Sequence, residues 1–502
     1  MKKILFTALV ILPFSGSLQA ESSDTVSLKG KRPNIVFVLT DDQGMGDLSC
    51  MGNPFLKTKN IDAFYEKSTR LSDYQVSPTC TPTRAGIMSG RTPFEVGVSH
   101  TIFQRERLAL DVVTFPQALQ NSGYKNGIFG KWHLGDDEEY LPNNRGFDEV
   151  FIHGAGGLGQ ESLGDFAGNA KSKYFDNILL HNDTVVKTKG FCTDVFFQAA
   201  LGWMQKQISA EQPYFAYISL NAPHGPMYAP QEDKQRFLDM GMDDSSASRY
   251  GMIENIDTNF GILMQKLEEW KQLENTLVIF MTDNGMSMAP IKMKGKKLDP
   301  FNANMQGKKN SNYEGGSRVP SFWYLKGATK EGKDVTALTS HIDLYKTFCE
   351  LTGSEIPDSN LPPSGRSFLP LLENPDSPWA DRTLFEHKGR WGPHKGKVYS
   401  KEDLKYKCSV RTEKWRFVMN KELYDIDNDL MQANNLAAEY PEVVKDLSAK
   451  YEVWWKTAQP FLAINEGLKT PDKGEFYLQK LQAKQLKENG PPKLWKPSIE
   501  LK

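Results

Sequence analysis

Short, uninterrupted apolar runs separated by amphipathic stretches constrain the fold of this chain more than any other feature. The runs occupy residues 35–39, 127–129, 214–220 and 276–281. Because they are continuous rather than alternating, they are typical of strands buried on both faces. Helical patterns lie between them, for example at 114–122 and 252–273. This order predicts an α/β fold with a large, mostly parallel sheet sandwiched by helices.

The pattern changes after about residue 375. Residues 409–419 alternate between apolar and polar side chains, and 422–426 offers a further short strand. These segments predict a smaller C-terminal antiparallel subdomain. Helical patterns follow at 440–457 and 475–487. We expect the Lys- and Pro-rich tail from Gly490 to lie on the surface or to be disordered.

The first twenty residues have the features of a signal peptide. Lys2 and Lys3 precede an apolar stretch at 4–13 that is too short to span a bilayer, and Ala20 offers a cleavage point. A short membrane anchor is the alternative. We therefore expect an exported protein, periplasmic or secreted, without a membrane span after cleavage. The predicted division is 1–20 signal peptide, 21–375 catalytic domain and 376–502 C-terminal subdomain.

Charge gives no reason to expect a nucleic-acid partner. The 61 basic and 62 acidic residues leave a net charge of −1. A basic surface that attracts phosphates is therefore not expected, and neither is binding to an anionic membrane.

Polar side chains follow each predicted strand. In an open α/β sheet, ligands bind beyond the carboxyl ends of the strands, so we expect these side chains to converge. They are Asp41, Asp42, Lys131, His133, His224, Asp283 and Asn284.

Two acidic segments among these residues predict a metal site. Asp41, Asp42, Asp283 and Asn284 offer hard oxygen ligands, which suit Ca²⁺ or Mg²⁺ rather than zinc. Taken singly, each pair could instead be a turn or a helix cap. The histidines could be ordinary core or surface residues, although their turns suit proton transfer.

One segment carries a family resemblance. Residues 80–91, CTPTRAGIMSGR, resemble the sulfatase signature, in which Cys-x-Pro-x-Arg precedes a short helix that ends in Gly-Arg. Thr83 stands where the family usually has Ser, and Asn310 stands where Gly is usual. Further stretches that resemble family motifs are 34–47, 130–135, 145–148, 222–226, 277–285, 309–320 and 422–429.

The resemblance implies a formylglycine-dependent sulfatase of the alkaline phosphatase superfamily. It implies that a maturation enzyme oxidises Cys80 to formylglycine, the nucleophile, instead of leaving it as a buried thiol. One Ca²⁺, favoured over Mg²⁺, would be held by Asp41, Asp42, Cys80, Asp283 and Asn284. The chain has five cysteines, and modification of one explains the odd number. The other four could pair or stay buried as small apolar side chains.

The resemblance also assigns roles to the remaining site residues. Arg84 would orient the formylglycine, and Lys131 and Lys309 would bind the sulfate oxygens. Lys308 is the neighbouring alternative to Lys309. His224 would protonate the leaving oxygen as general acid, and His133 would help the release of sulfate.

Export suits a sulfated poly- or oligosaccharide as substrate. We expect the Gly-rich stretch at 154–182 to line the pocket, with His100, Arg105 and Arg107 as further candidate contacts. Two alternatives remain from the sequence. One is a phosphomonoester or phosphodiester hydrolase of the same superfamily, and the other is a catalytically dead protein that binds sulfated glycans.

Overall fold

The computed structural model describes residues 27–499 except 103, 173, 391, 395–396, 466–468 and 470. The predicted signal peptide, residues 1–20, lies outside the described residues. In chain order, the strands are β1 (Asn34–Thr40), β2 (Thr69–Leu71), β3 (Tyr74–Gln75), β4 (Lys125–Lys131), β5 (Glu149–His153), β6 (Ile178–His181), β7 (Thr184–Lys187), β8 (Tyr214–Ser219), β9 (Thr276–Thr282), β10 (Ile291–Met293), β11 (Lys296–Leu298), β12 (Ser321–Tyr324), β13 (Asp334–Val335), β14 (Thr339–Ser340), β15 (Leu384–His387), β16 (Gly392–His394), β17 (Lys397–Tyr399), β18 (Cys408–Arg411), β19 (Trp415–Val418) and β20 (Glu422–Asp425).

Helices lie between the strands and after them. They are α1 (Lys59–Lys67), α2 (Cys80–Ser89), α3 (Phe115–Asn121), α4 (Asn169–Ser172), α5 (Cys192–Ser209), α6 (Gln231–Asp239), α7 (Asp244–Glu269), α8 (Glu314–Ser317), α9 (Leu344–Thr352), α10 (Leu369–Glu373), α11 (Lys401–Leu404), α12 (Pro441–Ala458) and α13 (Tyr477–Asn489).

A ten-stranded sheet forms the centre of the molecule, in the order β13-β2-β12-β9-β1-β8-β4-β5-β6-β7. Strands β9, β1, β8, β4 and β5 run parallel to one another and form a central block. The flanking strands β12 and β6 join this parallel block in antiparallel orientation. The predicted mostly parallel sheet is confirmed, and each of the four apolar runs lies in one of its strands.

Both faces of this sheet are covered, which explains why the apolar runs do not alternate. Ile35, Phe37 and Leu39 of β1 pack in a cluster that includes residues of α2, α3 and α9. Val36 and Val38 point the other way, into a cluster that includes residues of α5 and α7. Successive side chains of a strand face opposite sides, so a strand between two helical layers must be apolar at every position.

The helix predicted at 252–273 begins earlier, at Asp244. Its first turn is capped by Asp243, whose carboxylate accepts a hydrogen bond from the Ser246 N–H. This capping stabilises a polar first turn that has no apolar periodicity, and periodicity is the only signal that the prediction used.

A four-stranded antiparallel sheet, β15-β18-β19-β20, forms after residue 375, as predicted. The alternating stretch 409–419 is not one strand but a hairpin of β18 and β19. The Thr412 N–H donates to the carbonyl of Trp415 and closes the turn. The exact boundary at residue 375 stays a prediction.

The end of the chain returns to the large sheet. Leu478 of α13 belongs to the core cluster on one of its faces. Beyond Gly490, Leu494 pairs with Lys187, and the Trp495 ring centroid lies 4.9 Å from that of Phe151. The tail was expected either to lie on the surface or to be disordered. These contacts place its described residues, 490–499, on the surface in an ordered arrangement.

A buried network of ion pairs joins the two sheets. Arg411 contacts Asp73 at 2.6 Å and Glu314 at 3.1 Å. Arg416 contacts Glu314 at 2.7 Å and Glu386 at 2.6 Å. Burial raises the pKa of Glu314, but Arg411 and Arg416 outweigh burial and bring this pKa below its ordinary value. The network therefore links β18 and β19 to Glu314, the first residue of α8.

All five cysteines lie in the described residues, and all are free thiols. Of the two alternatives for the four besides Cys80, burial without pairing is therefore found for Cys192, Cys349 and Cys408, while Cys50 is half-buried. No helix of the described residues has the length and apolar character needed to cross a membrane.

Candidate active site

The carboxyl ends of the central strands bring the predicted polar residues together. Asp41 and Asp42 follow β1, Asp283 and Asn284 follow β9, and Lys131 ends β4. The Asp42 N–H donates to Asp283 Oδ1 at 3.1 Å, so the two acidic segments touch directly. The convergence expected from the order of the strands is observed.

Cys80 enters this cluster as the first residue of α2, a helix in which every residue is buried. One ligand atom each of Asp41, Cys80 and Asp283 lie within 4.8 Å of one another. The amino end of a helix favours negative charge. Position 80 is therefore placed next to the acidic residues and in a setting that stabilises an anion.

Arg84, one turn further along α2, is fully buried. Its Nη2 donates to Asp283 Oδ2 at 2.7 Å, and its Nη1 donates to the carbonyl of Lys131 at 3.2 Å. The side chain thereby connects the helix of Cys80 to the ends of two strands. It fixes Asp283 and Cys80 relative to each other.

Two lysines neutralise the acidic residues. Lys131 Nζ lies 2.6 Å from Asp41 Oδ2, and both side chains are fully buried. Lys309 Nζ lies 2.5 Å from Asp42 Oδ1. Lys308 points elsewhere, and its Nζ donates to the carbonyl of Met288 at 3.3 Å. Of the two neighbouring lysines, it is Lys309 that the fold brings into the cluster.

The two histidines occupy different settings. His224 Nε2 lies 3.7 Å from Asp42 Oδ2, and His224 Nδ1 lies 2.7 Å from the carbonyl of Gly225. His133 contacts Thr81 Oγ1 at 3.0 Å and, through Nε2, the carbonyl of Thr101 at 2.8 Å. Burial lowers the pKa of both rings. A neutral ring is therefore the favoured state of each.

The charges of the site shift the pKa of its acidic groups in different directions. Burial raises the pKa of Asp41 to about 6 and, with the help of the Asp41 charge, that of Asp283 to about 7. For Asp42, burial is outweighed by Lys309 and His224, so its pKa is lowered. Burial also raises the pKa of Cys80, but Lys131 and Lys309 outweigh it and leave that pKa below its ordinary value.

Unsatisfied oxygens show that these residues fit a hard cation. Within the part of the chain that the structure describes, Asp41 Oδ1 and Asn284 Oδ1 are buried without a hydrogen-bond partner. Buried polar atoms normally have one, and each exception calls for an explanation such as an ion. Carboxylate and amide oxygens are the ligands that Ca²⁺ and Mg²⁺ take, so a cation here would satisfy both atoms.

Backbone strain is concentrated at the same place. Asp42 has a φ of 68° and His133 a φ of 61°, both in the left-handed region. Residues other than glycine enter this region at a cost of about 1–3 kcal/mol, and such residues cluster at functional sites. The fold thus holds both side chains in directions that relaxed backbone would not give.

Arg249 of α7 is a buried positioning residue that sequence reasoning missed. Its Nη2 donates to the carbonyl of Asp42 at 3.0 Å and to Asp47 Oδ2 at 2.6 Å, and its Nη1 donates to the carbonyl of Pro223 at 3.1 Å. It therefore ties the loop of Asp42 to the loop that precedes His224. It lies in the first turns of α7, which precede the helical pattern at 252–273, so no signal in the sequence marked it.

The Gly-rich stretch 154–182 reaches the site with its first residues and with Tyr174, whose hydroxyl donates to the carbonyls of Asn221 at 3.0 Å and His224 at 2.5 Å. A Cβ at Gly156 would lie 2.6 Å from His133 Nε2, so only glycine fits at this position. Asp165, also missed, anchors this loop by accepting the N–H groups of Gly154 at 3.1 Å and Gly159 at 2.7 Å. Other residues of the stretch form α4 and β6.

The three further candidates for substrate contacts lie beside the site. His100 and Arg105 are buried. Arg107 forms an ion pair with Asp137. Arg107 and Asp137 line a small cavity of about 30 Å³ that also reaches His133.

Comparison with known proteins decides the family. The Sulfatase family model matches residues 33–354, which contain the large sheet and the residues of the site described above. The chain belongs to the sulfatase family. The resemblance inferred from the motifs and the predicted fold class are both confirmed.

Named relatives of this sulfatase cover about two thirds of its length. N-acetylgalactosamine-6-sulfatase of Canis lupus familiaris is 29% identical over 382 residues, which is 71% of this chain and 69% of that protein. Arylsulfatase A of Homo sapiens is 30% identical and covers 68% of each chain. These relatives are sulfuric ester hydrolases, so the predicted enzyme class is confirmed.

The crystal structure of Ps i-CgsB in complex with k-i-k-neocarrahexaose is a close match in fold to this sulfatase. The TM-score is 0.74 at 25% identity, covering 91% of this chain and 99% of that one.

Proposed function

We propose that this sulfatase is exported and hydrolyses a sulfate ester of a poly- or oligosaccharide, with formylglycine at position 80 and one bound Ca²⁺. The observation that carries the proposal is the position of Cys80. It starts a buried helix, belongs to one group of ligand atoms with Asp41 and Asp283, and lies where two lysines favour negative charge.

The residues around Cys80 support a division of labour. Asp41, Asp42, Asp283, Asn284 and residue 80 would hold the cation. A bound Ca²⁺ would lower the pKa of an oxygen on residue 80 and offset the carboxylate charges.

Cations preset around the sulfate are the first contribution of the chain itself. Lys131 and Lys309 are held by Asp41 and Asp42 at 2.6 and 2.5 Å, so their ammonium groups are fixed before substrate arrives. Charges fixed in advance stabilise a transition state without reorganisation. Arg84, on the same helix as residue 80, donates from Nη2 to Asp283 Oδ2 at 2.7 Å and so holds Asp283 in a fixed position relative to residue 80.

Proton transfer is assigned to the histidines. The Gly225 carbonyl accepts a hydrogen bond from His224 Nδ1, which leaves Nε2 as the position of the transferable proton. To act as general acid, the ring must also carry a proton on Nε2; burial disfavours this protonated state, and the negative charge of Asp42, whose Oδ2 lies 3.7 Å from Nε2, favours it. His133 donates from Nε2 to Thr101, so its Nδ1 can accept a proton from residue 80 during release of sulfate.

The saccharide part of the proposal draws on similar proteins. One relative is named for a sulfated N-acetylgalactosamine, and one structural neighbour was solved with a neocarrahexaose bound. Export, which the first twenty residues indicate, suits a substrate outside the cytoplasm.

The proposed function is tested on protein produced together with a formylglycine-generating enzyme. Mass spectrometry of the peptide that contains residue 80 should show formylglycine, and ion chromatography should detect sulfate released from members of a panel of sulfated saccharides. Turnover of phosphate esters alone would favour the phosphatase alternative. Saccharide binding without sulfate release from any ester would favour the catalytically dead binding protein.

Calcium should stabilise the folded protein. A cation that binds only the native state at about 100 times its dissociation constant adds about 2.7 kcal/mol to the free energy of unfolding. We expect the unfolding temperature in calorimetry to be several degrees higher with CaCl₂ than with EDTA. The increase caused by calcium should be smaller in Asn284→Ala than in the wild type, because this variant loses one proposed ligand. In the surface control Asp446→Asn the increase should equal that of the wild type. A shift of equal size in all three proteins would contradict the assigned site.

A further inference from the structure

A cationic cleft continues from the site toward the small sheet. Its volume is about 430 Å³, and it is lined by Ser287, Met288, Ala289, Lys308, Lys309, Asn310 and Arg390. This volume lies in the range of small-ligand sites. Among the described residues that line the cleft there are three cations and no carboxylate, so the cleft favours an anion.

Arg390 comes from the C-terminal part of the chain and is fixed against the catalytic domain. Its N–H donates to the carbonyl of Ser99 at 2.9 Å, and its Nη2 approaches Thr101 Oγ1 at 3.5 Å. A Cβ at Gly389 would lie 2.0 Å from the Ser99 carbonyl oxygen, so the preceding glycine permits this close approach. Thr101 is also the residue whose carbonyl contacts His133.

The guanidinium of Arg390 is poorly satisfied by the protein itself. Its Nε is buried without a hydrogen-bond partner, and among the described residues no carboxylate forms an ion pair with it. Burial lowers the pKa of Arg390, while the negative charges of Cys80 and Asp42 act in the opposite direction. Arg390 is half-buried, and a partly desolvated arginine without a carboxylate partner is stabilised when a ligand supplies an anion.

The position of Arg390 indicates which ligand it binds. One cleft contains both Arg390 and Lys309, the lysine assigned to the sulfate that is cleaved. A substrate whose sulfate ester contacts Lys309 can therefore place a second anionic group at Arg390 within the same cleft. The planar guanidinium matches the oxygens of a carboxylate or of a sulfate.

We propose that Arg390 is a specificity-determining residue that binds a second anionic group of the saccharide, so that the preferred substrate carries at least two negative charges. This inference rests on the proposed function, whose sulfate site supplies the first anion position. The second group is a sulfate or a uronate carboxylate, which share the same chemistry toward an arginine.

The test compares Arg390→Gln with the wild-type protein on three kinds of sulfate ester. The first is an aryl sulfate with one charge, the second is a disulfated disaccharide, and the third is a monosulfated disaccharide that contains a uronate. We expect kcat/KM to fall about 10- to 100-fold, mainly through KM, for the disaccharide whose second anion binds Arg390. The aryl sulfate should be turned over almost as before. Which disaccharide loses more identifies the second group.

Two further variants serve as controls. Arg390→Lys keeps the charge and should recover part of the loss. Lys388→Gln removes a cation from the same loop that does not line the cleft, and it should behave as wild type on every substrate. An equal loss of the aryl sulfate and both disaccharides in Arg390→Gln, or no loss of any of them, would overturn the proposal.

Binding measurements separate this inference from the proposed function. Titration calorimetry with the two disaccharides needs no turnover and can use protein with unmodified Cys80. Weaker binding of the dianionic saccharide to Arg390→Gln supports the role of Arg390 even if the wild-type protein releases no sulfate, a result that would refute the proposed function alone. Equal affinities for wild type and Arg390→Gln would refute the inference.

Discussion

Replacing Cys80 with alanine is expected to reduce sulfate-ester hydrolysis by about 10⁴-fold or more, the range seen when an enzyme loses its nucleophile. The sulfur lies in one group with Asp41 and Asp283, and Lys131 and Lys309 favour negative charge on it. Alanine offers no atom that can be oxidised or can attack sulfur. The rate of release from an aryl sulfate, measured at saturating substrate, checks this result.

Cys192→Ala is the matched control for this variant. Cys192 is also buried and is also the first residue of a helix, but its thiol lies 3.5 Å from Asn221 Oδ1, outside the group of proposed ligands. Both variants lose a buried sulfur and should lose similar thermal stability. Only Cys80→Ala should lose activity. If Cys80→Ala retained a rate near that of the control, position 80 would not be the nucleophile.

Arg416→Met is expected to lower the free energy of unfolding by about 3–5 kcal/mol, the cost of leaving buried carboxylates without their cation. Arg416 is fully buried and contacts both Glu314 and Glu386. Glu314 would keep Arg411, but among the described residues Glu386 would keep only the hydroxyl groups of Ser409, at 2.9 Å, and of Ser317. Urea denaturation, followed by circular dichroism and tryptophan fluorescence, measures the loss.

Two comparisons isolate the uncompensated charge. Adding Glu386→Gln to Arg416→Met removes one orphaned carboxylate and should restore part of the lost stability. Lys450→Met breaks an ion pair with Asp446 on the surface of α12, where both partners are exposed, and should cost at most about 1 kcal/mol. A loss in Arg416→Met no larger than that of Lys450→Met would show that the network contributes little.

The large sheet could be predicted because its central strands are buried on both faces and are therefore continuous apolar runs in the sequence. β1 lies between two helical layers, so every residue from Ile35 to Leu39 is apolar and the run is easy to recognise. The hairpin of β18 and β19 was predicted as one strand because both of its arms alternate, although the polar run 411–414 interrupts the alternation where the turn lies. The early start of α7 was missed because its first turn is stabilised by a cap and not by apolar contacts.

The candidate site could be predicted where its residues follow strands or stand in motifs. Asp41 and Asp283 are next to recognisable strands, and strand direction alone places such residues at one edge. Arg249, Asp165 and Arg390 carry no such signal. Arg249 contacts the loops of Asp42 and Pro223, and Arg390 reaches the cleft from the loop after β15. These contacts are tertiary, and local sequence patterns do not encode them. Asp165 binds N–H groups within its own loop, whose conformation the sequence does not reveal.

The pairing of β1 has a consequence for the timing of synthesis. Val36 pairs with Ala216 on one side and with Val278 on the other, so its partners are made long after residue 80. Pairings between segments so distant in sequence form slowly because long loops must close first. All ten residues of α2 are buried once the sheet has formed. For the proposed modification of Cys80, the interval between translation of its segment and closure of the sheet is therefore the period in which the thiol would be accessible to the modifying enzyme.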